Sequence, residues 1–324
     1  MLKKYLLASF ATVALMTASA EARTLRMLVS WPESNVMAYM PAAQFKKNLE
    51  AENVDLDVQL SGPETVPPFE QLGPISAGVF DLLFTHPAYH DKAITNATNV
   101  MNPDMELVRS SGVFEYMDNY MRDKHGLTLL ANIAVGTAGY HCYLREPLSA
   151  DSDLKGRKIR GVATYVPVIE SLGGTAVNTD MGEVYSGLDR GVVDGACAPL
   201  SVFRATKHYE VAKYRTEPTF GQLVSYIGMN ADSWNSLTDE QRAAVTRASI
   251  QTEKDAMQIS NDALQDDLDF LAGEGVEVTT FSPEKYEVLK KTYAEGVWQL
   301  VSDCCGADAS ADLRKMSIEA GLSD

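Results

Sequence analysis

The chain has 324 residues, 45% of them hydrophobic, and a formal net charge of −16 at pH 7. That is enough for two lobes of ordinary domain size around a substantial core. So negative a surface repels phosphate backbones and excludes nucleic acid as an expected partner. An anionic small molecule is not excluded, because the donors of a single site outweigh a screened surface charge.

The first residues carry an address. Lys3 and Lys4 precede an apolar run from Tyr5 to Thr17, and Ala18-Ser19-Ala20 and Ala20-Glu21-Ala22 both offer small-x-small cleavage. These features predict a cleavable leader over 1–22 and an exported mature chain; the alternative is an uncleaved anchor. No later stretch is apolar for long enough to span a membrane.

Leu25 to Trp31 then reads as a strand, Val36 to Glu50 as a helix, and Val54 to Leu60, alternating apolar and polar, as a half-buried strand. Pro67 and Pro68 open a helix through Ser76, and Phe80 to Thr85 has the mostly apolar character of a buried strand. This alternation predicts a parallel sheet covered by helices, with ligands bound beyond the carboxyl ends of its strands. Trp31, Gly62 and His86 fall at that mouth, and Tyr89 lies just past it.

Glu106 to Met121 is partly helical, and Leu127 to Val135 and Tyr140 to Leu144 are strands between which the chain crosses into a second lobe. There the alternation repeats: a strand from Lys158 to Gly161, a helix over 166–172, a strand over 176–178, a helix over 182–190 and a strand over 192–197. A helix over 200–208 follows, and a strand over 223–229 returns to the first lobe. Leu237-Thr238-Asp239-Glu240-Gln241 is a capping box with its staple, and it starts a helix of more than thirty residues that ends at Gly273. Such a helix is long enough to span both lobes. A strand over 276–281 and a helix from Ser282-Pro283-Glu284 to about Val301 complete the pattern. The expected layout is 23–139 plus 230–281 in the first lobe, 140–229 in the second, and 282–324 packed across them.

Two groups of residues carry chemistry. The four cysteines, Cys142, Cys197, Cys304 and Cys305, lack zinc-site spacing, and an exported chain permits disulfides. Pairing of Cys142 with Cys197 requires their strands to be neighbours and leaves Cys304 and Cys305 as a vicinal pair or as free thiols; buried unpaired thiols are the alternative. Arg160 sits on a short strand before a glycine, and a guanidinium held on a rigid strand matches both oxygens of a carboxylate. The alternative is a surface arginine within a basic cluster of Lys155, Arg157 and Lys158. His86 and His90, four apart, would share a metal on a helix, but no third ligand is evident and no metal or cofactor is expected. Glu183 and Asp194 lack the spacing of an acid–base pair, and nucleophile elbows, phosphate loops and dinucleotide fingerprints are absent.

Asp-Leu-Lys-Gly-Arg-Lys-Ile-Arg (153–160), Gly-Glu-Val-Tyr-Ser-Gly-Leu (182–188), Gly-Val-Val-Asp-Gly (191–195), Pro199, Tyr-Glu-Val-Ala-Lys-Tyr (209–214) and Asn230 with Trp234-Asn235-Ser236-Leu237 occur in order. Through them the chain resembles the DctP-type periplasmic solute-binding subunits of tripartite ATP-independent periplasmic (TRAP) transporters. The resemblance implies an α/β fold of two lobes, each with a mostly parallel sheet flanked by helices, and a long helix spanning both. It further implies a monomeric periplasmic receptor, not an enzyme, that captures an organic anion between its lobes and delivers it to a TRAP membrane permease. Arg160 matches the arginine that pairs with the cargo's carboxylate.

The chain departs from the family pattern where other polar groups are common. Tyr140 stands where many members have a second arginine, Ala198 where they have an asparagine, Met181 in place of an aromatic, and Phe220 in place of a frequent histidine. The expected site is therefore Arg160 with Tyr140, Trp31, Met181, Phe220, His86, Tyr89 and Ala198, taking an aromatic or otherwise partly apolar monocarboxylate. The alternatives are a receptor of an ATP-driven uptake system, and an exported enzyme or sensor module on the same scaffold.

Overall fold

The computed structural model describes residues 22–90, 93–136 and 139–323. Residues 1–21, which hold nearly all of the expected leader, lie outside the described residues. Eleven strands among the described residues form two sheets. In the first, β1 (Arg23–Val29), β2 (Leu56–Ser61) and β3 (Leu82–Thr85) pair in parallel, and β10 (Val224–Asn230) runs antiparallel between β3 and β4 (Leu127–Ala134). All residues of β4 and β10 are buried, as expected of interior strands covered on both faces.

The second sheet runs β11 (Glu277–Thr280), β9 (Tyr214–Glu217), β5 (Tyr140–Leu144), β8 (Gly195–Pro199), β6 (Lys158–Arg160) and β7 (Thr175–Val177). Its outer pairs are parallel, while β5 is antiparallel to both neighbours. Cys142 and Cys197 face one another across β5 and β8 and are bonded, as are the adjacent Cys304 and Cys305.

Two chain segments cross between the sheets, from β4 into β5 and from β9 into β10. They are stitched together by Val135 N to Leu223 O at 3.0 Å, Tyr140 N to Phe220 O at 2.8 Å and Phe220 N to Tyr140 O at 3.1 Å. The approach is so close that a Cβ on Gly139 would lie 2.5 Å from the Gly221 carbonyl oxygen. Glycine is needed at this crossing.

Helices cover both sheets. α1 (Val36–Ala51), α2 (Leu72–Ser76), α3 (Met105–Ser110) and α4 (Val113–His125) belong to the first lobe, and α5 (Val166–Ser171), α6 (Met181–Asp189) and α7 (Leu200–Ala205) to the second. A short α8 (Ala231–Asn235) leads into α9 (Asp239–Gly273), whose start is the capping box of Thr238 and Gln241. At its 35 residues, α9 extends about 50 Å. Its middle is fixed to the first lobe, where Arg109 Nη2 donates to Glu253 Oε1 at 2.8 Å and the same oxygen accepts from Asn132 N at 2.9 Å. Its far end is fixed to the second lobe, through Arg204 to Asp267 at 2.8 Å and Phe270 against Tyr209 with ring centroids 5.3 Å apart.

The structure moves two boundaries. Residues 224–229 were expected with the second lobe, yet β10 pairs between β3 and β4 in the first sheet, because the chain has already crossed back. Residues 277–280 were expected with the first lobe, yet β11 pairs with β9 in the second sheet, because α9 has already carried the chain there. α10 (Pro283–Cys305) is four residues longer than expected, and α11 (Ala307–Glu319) follows a turn at Gly306. α10 packs so tightly on α5 that a Cβ on Gly296 would lie 2.4 Å from Pro167 Cγ. β9, α8 and α11 are labelled elements the sequence reading lacked.

Candidate functional site

The site grows from β6. Arg160 lies between β7 and β8, opposite Val177 and Ala196, so its backbone is fixed on both sides. A Cβ on the next residue, Gly161, would lie 2.6 Å from Ile169 Cδ1 and 3.1 Å from Tyr165 Cβ. Arg160 is only 1% exposed. Its Nε donates to the Thr179 carbonyl at 3.0 Å, while Nη2 is buried without a hydrogen-bond partner. No described carboxylate lies within ion-pair distance, so the basic-cluster alternative does not hold: this arginine is interior and uncompensated.

Arg160 faces an inner cavity between the lobes. Trp31, Phe84, His86, Tyr89, Leu223 and Ser225 line it from the first lobe and the crossing segments, and Val162, Tyr165, Met181, Ala198 and Ser201 from the second. Its interior is about 40 Å³, room for a few waters. Arg160 is the only charged side chain among the described residues that line it. Trp31 is packed in place by Phe84 at 5.2 Å and Tyr89 at 6.0 Å between ring centroids.

Six of the eight expected site residues meet at this cavity: Arg160, Trp31, Met181, His86, Tyr89 and Ala198. Tyr140 and Phe220 do not line it. Both are buried behind its wall, at 0% and 2% exposure, where the crossing segments pair. Tyr140 instead positions His86. The Ala88 N–H donates to His86 Nδ1 at 3.2 Å, which leaves the ring proton on Nε2, and Nε2 donates to the Tyr140 hydroxyl at 3.0 Å. That hydroxyl lies 2.8 Å from Asn99 Oδ1 and 2.7 Å from the Gln222 carbonyl, either of which takes its proton.

The two histidines do not converge. His86 caps a short 3₁₀ turn, Pro87–Tyr89, and His90 Nε2 turns away to Thr85 Oγ1 at 3.1 Å. Among the described residues there is no group of three His, Cys, Asp or Glu suited to a metal. Asp194 accepts the Lys158 N–H and Glu183 bonds Thr179, so neither carboxylate faces the cavity. Sequence reasoning missed Tyr165, Ser201, Leu223 and Ser225. Lone hydroxyl and aromatic positions have no spacing that marks them before the lobes are assembled.

A wider space of about 500 Å³ opens outside the inner cavity. Trp31, Tyr89 and Met181 line both and form the partition between them. The mouth is further lined by Asn35, Glu64 and Asp180.

Burial keeps His86, His90 and His208 neutral. His86 is pushed down to about 3 by burial, and His208, also buried and repelled by Arg160, to about 4. His90 is likewise pushed to about 4 by burial. An unfolded histidine titrates near roughly 6.5, so the unfolded chain binds protons first as the pH falls. The stability these groups contribute is full above about pH 6.5 and declines as the pH drops toward their folded values. His208 has both ring nitrogens buried without partners. His208→Phe is expected to flatten this decline by about 1 kcal/mol per pH unit, read from urea unfolding between about pH 7 and pH 5. Equal slopes in wild type and variant would show that His208 stays solvated or charged in the folded state.

Residues 101–302 match the family model described as bacterial extracellular solute-binding protein, family 7, known as DctP. The chain belongs to that family. This DctP-family chain is 28% identical over 134 residues to a solute-binding protein of Chromohalobacter salexigens, covering 41% of this chain and 40% of that one. It is 24% identical over 174 residues to the Roseobacter denitrificans solute-binding protein RD1_1052, with 53% of each covered. The matched stretches thus span about half or less of the length of these curated relatives. The fold match is longer. A TRAP periplasmic solute-binding protein of Desulfovibrio salexigens with bound orotic acid superposes with a TM-score of 0.79 at 18% identity, over 92% of this chain and 98% of that one. DctP7 of Bordetella pertussis, a receptor binding pyroglutamic acid, does so with a TM-score of 0.75 at 20% identity, over 92% and 99%. The family and these neighbours are solute-binding receptors, not enzymes.

Proposed function

We propose that the chain is the periplasmic receptor of a TRAP uptake system, and that it captures a partly apolar monocarboxylate between its lobes for delivery to a membrane permease. The observation that carries this reading is the buried, partnerless Nη2 of Arg160 in an otherwise uncharged cavity. A desolvated guanidinium without a counter-ion is costly, and a carboxylate accepting from it offsets that cost. Trp31, Tyr89, Tyr165, Val162 and Leu223 supply apolar and aromatic wall around the acid group. With one cationic group there, a second carboxylate would be buried unpaired, which disfavours dicarboxylates.

Several observations support the wider reading. The acids named with the neighbouring structures, among them L-galactonate, orotic acid and pyroglutamic acid, carry carboxylates or their equivalents. The amino-terminal run has the form of a cleavable leader, and no described helix is long and apolar enough to cross a membrane. The small interior suits a compact cargo.

A thermal-shift screen tests the cargo class. Compact aromatic and branched monocarboxylates, present at about 100 times their dissociation constant, are expected to stabilise the protein by about 2.7 kcal/mol. Sugar acids and dicarboxylates at equal concentration are expected to stabilise it less. A screen in which only polyhydroxylated or doubly charged acids raise the melting temperature would overturn the apolar-cargo reading.

A further inference from the structure

The charges along the cleft have opposite signs. Inside stands Arg160, with Nη2 unpartnered. At the mouth stand Asp180 and Glu64, with no lysine or arginine among the described lining residues. Glu64 is engaged by the Gly62 N–H at 3.0 Å. Asp180 is different. Its Oδ1 is buried and has no hydrogen-bond partner, and no described cation lies within ion-pair distance of it. It occupies the N-cap position of α6, yet its side chain caps nothing. From the other lobe, Asn35, only 5% exposed, lines the same mouth with its own Oδ1 buried and unpartnered.

These groups lie close along the chain and across the cleft. The carbonyl that holds Arg160 Nε belongs to Thr179, one peptide before Asp180. Tyr89, on the partition between cavity and mouth, feels both charges: burial raises its hydroxyl's pKa first, Arg160 opposes the rise and Asp180 adds to it. A buried acceptor left unsatisfied costs about 1–3 kcal/mol, and more when it is charged. One donor without an acceptor inside, and two acceptors without donors at the mouth, are the complement of a molecule carrying both.

We infer that the cargo is zwitterionic: it bears a cationic or N–H-donating nitrogen, held by Asp180 with Asn35 at the mouth, beside the carboxylate held by Arg160. This deepens the proposed function and rests on Arg160 as the carboxylate clamp. It narrows the cargo from organic acids at large to amino or imino acids and related zwitterions. The acidic mouth also gives a reason for the lack of a second cation: a doubly anionic ligand would be repelled where a zwitterion is attracted.

Matched pairs differing only in the nitrogen test this. Calorimetry on the full mature chain would compare L-proline with cyclopentanecarboxylate, L-phenylalanine with 3-phenylpropanoate, and 4-aminobutanoate with butanoate. In at least one pair the nitrogen-bearing member is expected to bind about tenfold tighter or better. Asp180→Asn is expected to erase that preference while leaving the nitrogen-free acid within about threefold of wild type. The inference is overturned if the nitrogen-free acid binds equally or more tightly in every pair, if no nitrogen-bearing member binds, or if Asp180→Asn weakens both members alike. Should Asp180→Asn fail to fold, the wild-type pairs decide alone. Arg160→Ala separates the two readings. If it weakens both members of pairs that bind equally, the clamp stands and the zwitterion falls; if it weakens neither, the clamp itself falls.

Discussion

Arg160→Ala is expected to lower the affinity for a carboxylate cargo by about a hundredfold while the ligand-free protein melts at or above the wild-type temperature. The two halves of this expectation come from the same environment. Arg160 is 1% exposed, and among the described residues it hydrogen-bonds to the Thr179 carbonyl, with Nη2 unpartnered. A charge buried in that way is a net cost to folding, so its removal does not destabilise the fold as the loss of a paired charge would. In the complex the same group gains a charge-assisted partner in a site of low dielectric, where truncating one member costs about 2–5 kcal/mol. At about 1.4 kcal/mol per factor of ten, a value near 3 kcal/mol is about a hundredfold. Arg160→Met, which keeps the stem's volume, controls for the cavity that alanine leaves. Calorimetric dissociation constants and ligand-free melting curves for both variants provide the measurement. Unchanged affinity in both would remove Arg160 from the site, and a collapse of the ligand-free melting temperature would make it a structural residue.

The fold was legible in the sequence to the extent that its signals are local. The Thr238 and Gln241 capping box acts over three residues, and α9 begins where that pattern says. The strand at Arg160 was readable because a polar turn, Gly156 and Gly161 bracket it. β9 was not readable. Its sequence, Tyr-Arg-Thr-Glu, lacks an apolar run, and its strand character is supplied by β5 and β11, which are distant in sequence. For the same reason the lobe of residues 277–280 depended on where a helix of 35 residues delivers them. The site shows the same division. Arg160 was marked by chemistry and motif together, whereas Tyr140 was placed in the cavity only because it stands where many members of the family have a second arginine. In the fold its hydroxyl is drawn to His86, Asn99 and the Gln222 carbonyl, so it orders the cavity wall from behind. Asp180 carried no motif. Only burial shows that one of its oxygens lacks a partner.

The bond between Cys142 and Cys197 is expected to supply about 4 kcal/mol of stability, and to do so through the unfolded chain rather than through the site. It spans a sequence separation of 55. In the chain-entropy account a closed loop of that length removes about 4 kcal/mol of freedom from the unfolded ensemble. That loop carries β6, β7, α5 and α6, and with them Arg160, Tyr165, Asp180 and Met181. The cross-link thus constrains the segment that holds the anion clamp and the acid at the mouth, yet in the folded protein β5 and β8 are already paired along their length. The Cys142→Ala/Cys197→Ala double variant should therefore lose about 4 kcal/mol in guanidinium unfolding while its folded form keeps a cargo affinity within about threefold of wild type. Both cysteines are 0% exposed, so reductant should break the bond in the native protein only as fast as the lobe opens. A double variant as stable as wild type would show that β5 and β8 confine the unfolded chain without the bond. One that folds but binds its cargo far more weakly would show that the disulfide, and not only the pairing of β6 with β7 and β8, sets the position of Arg160 itself.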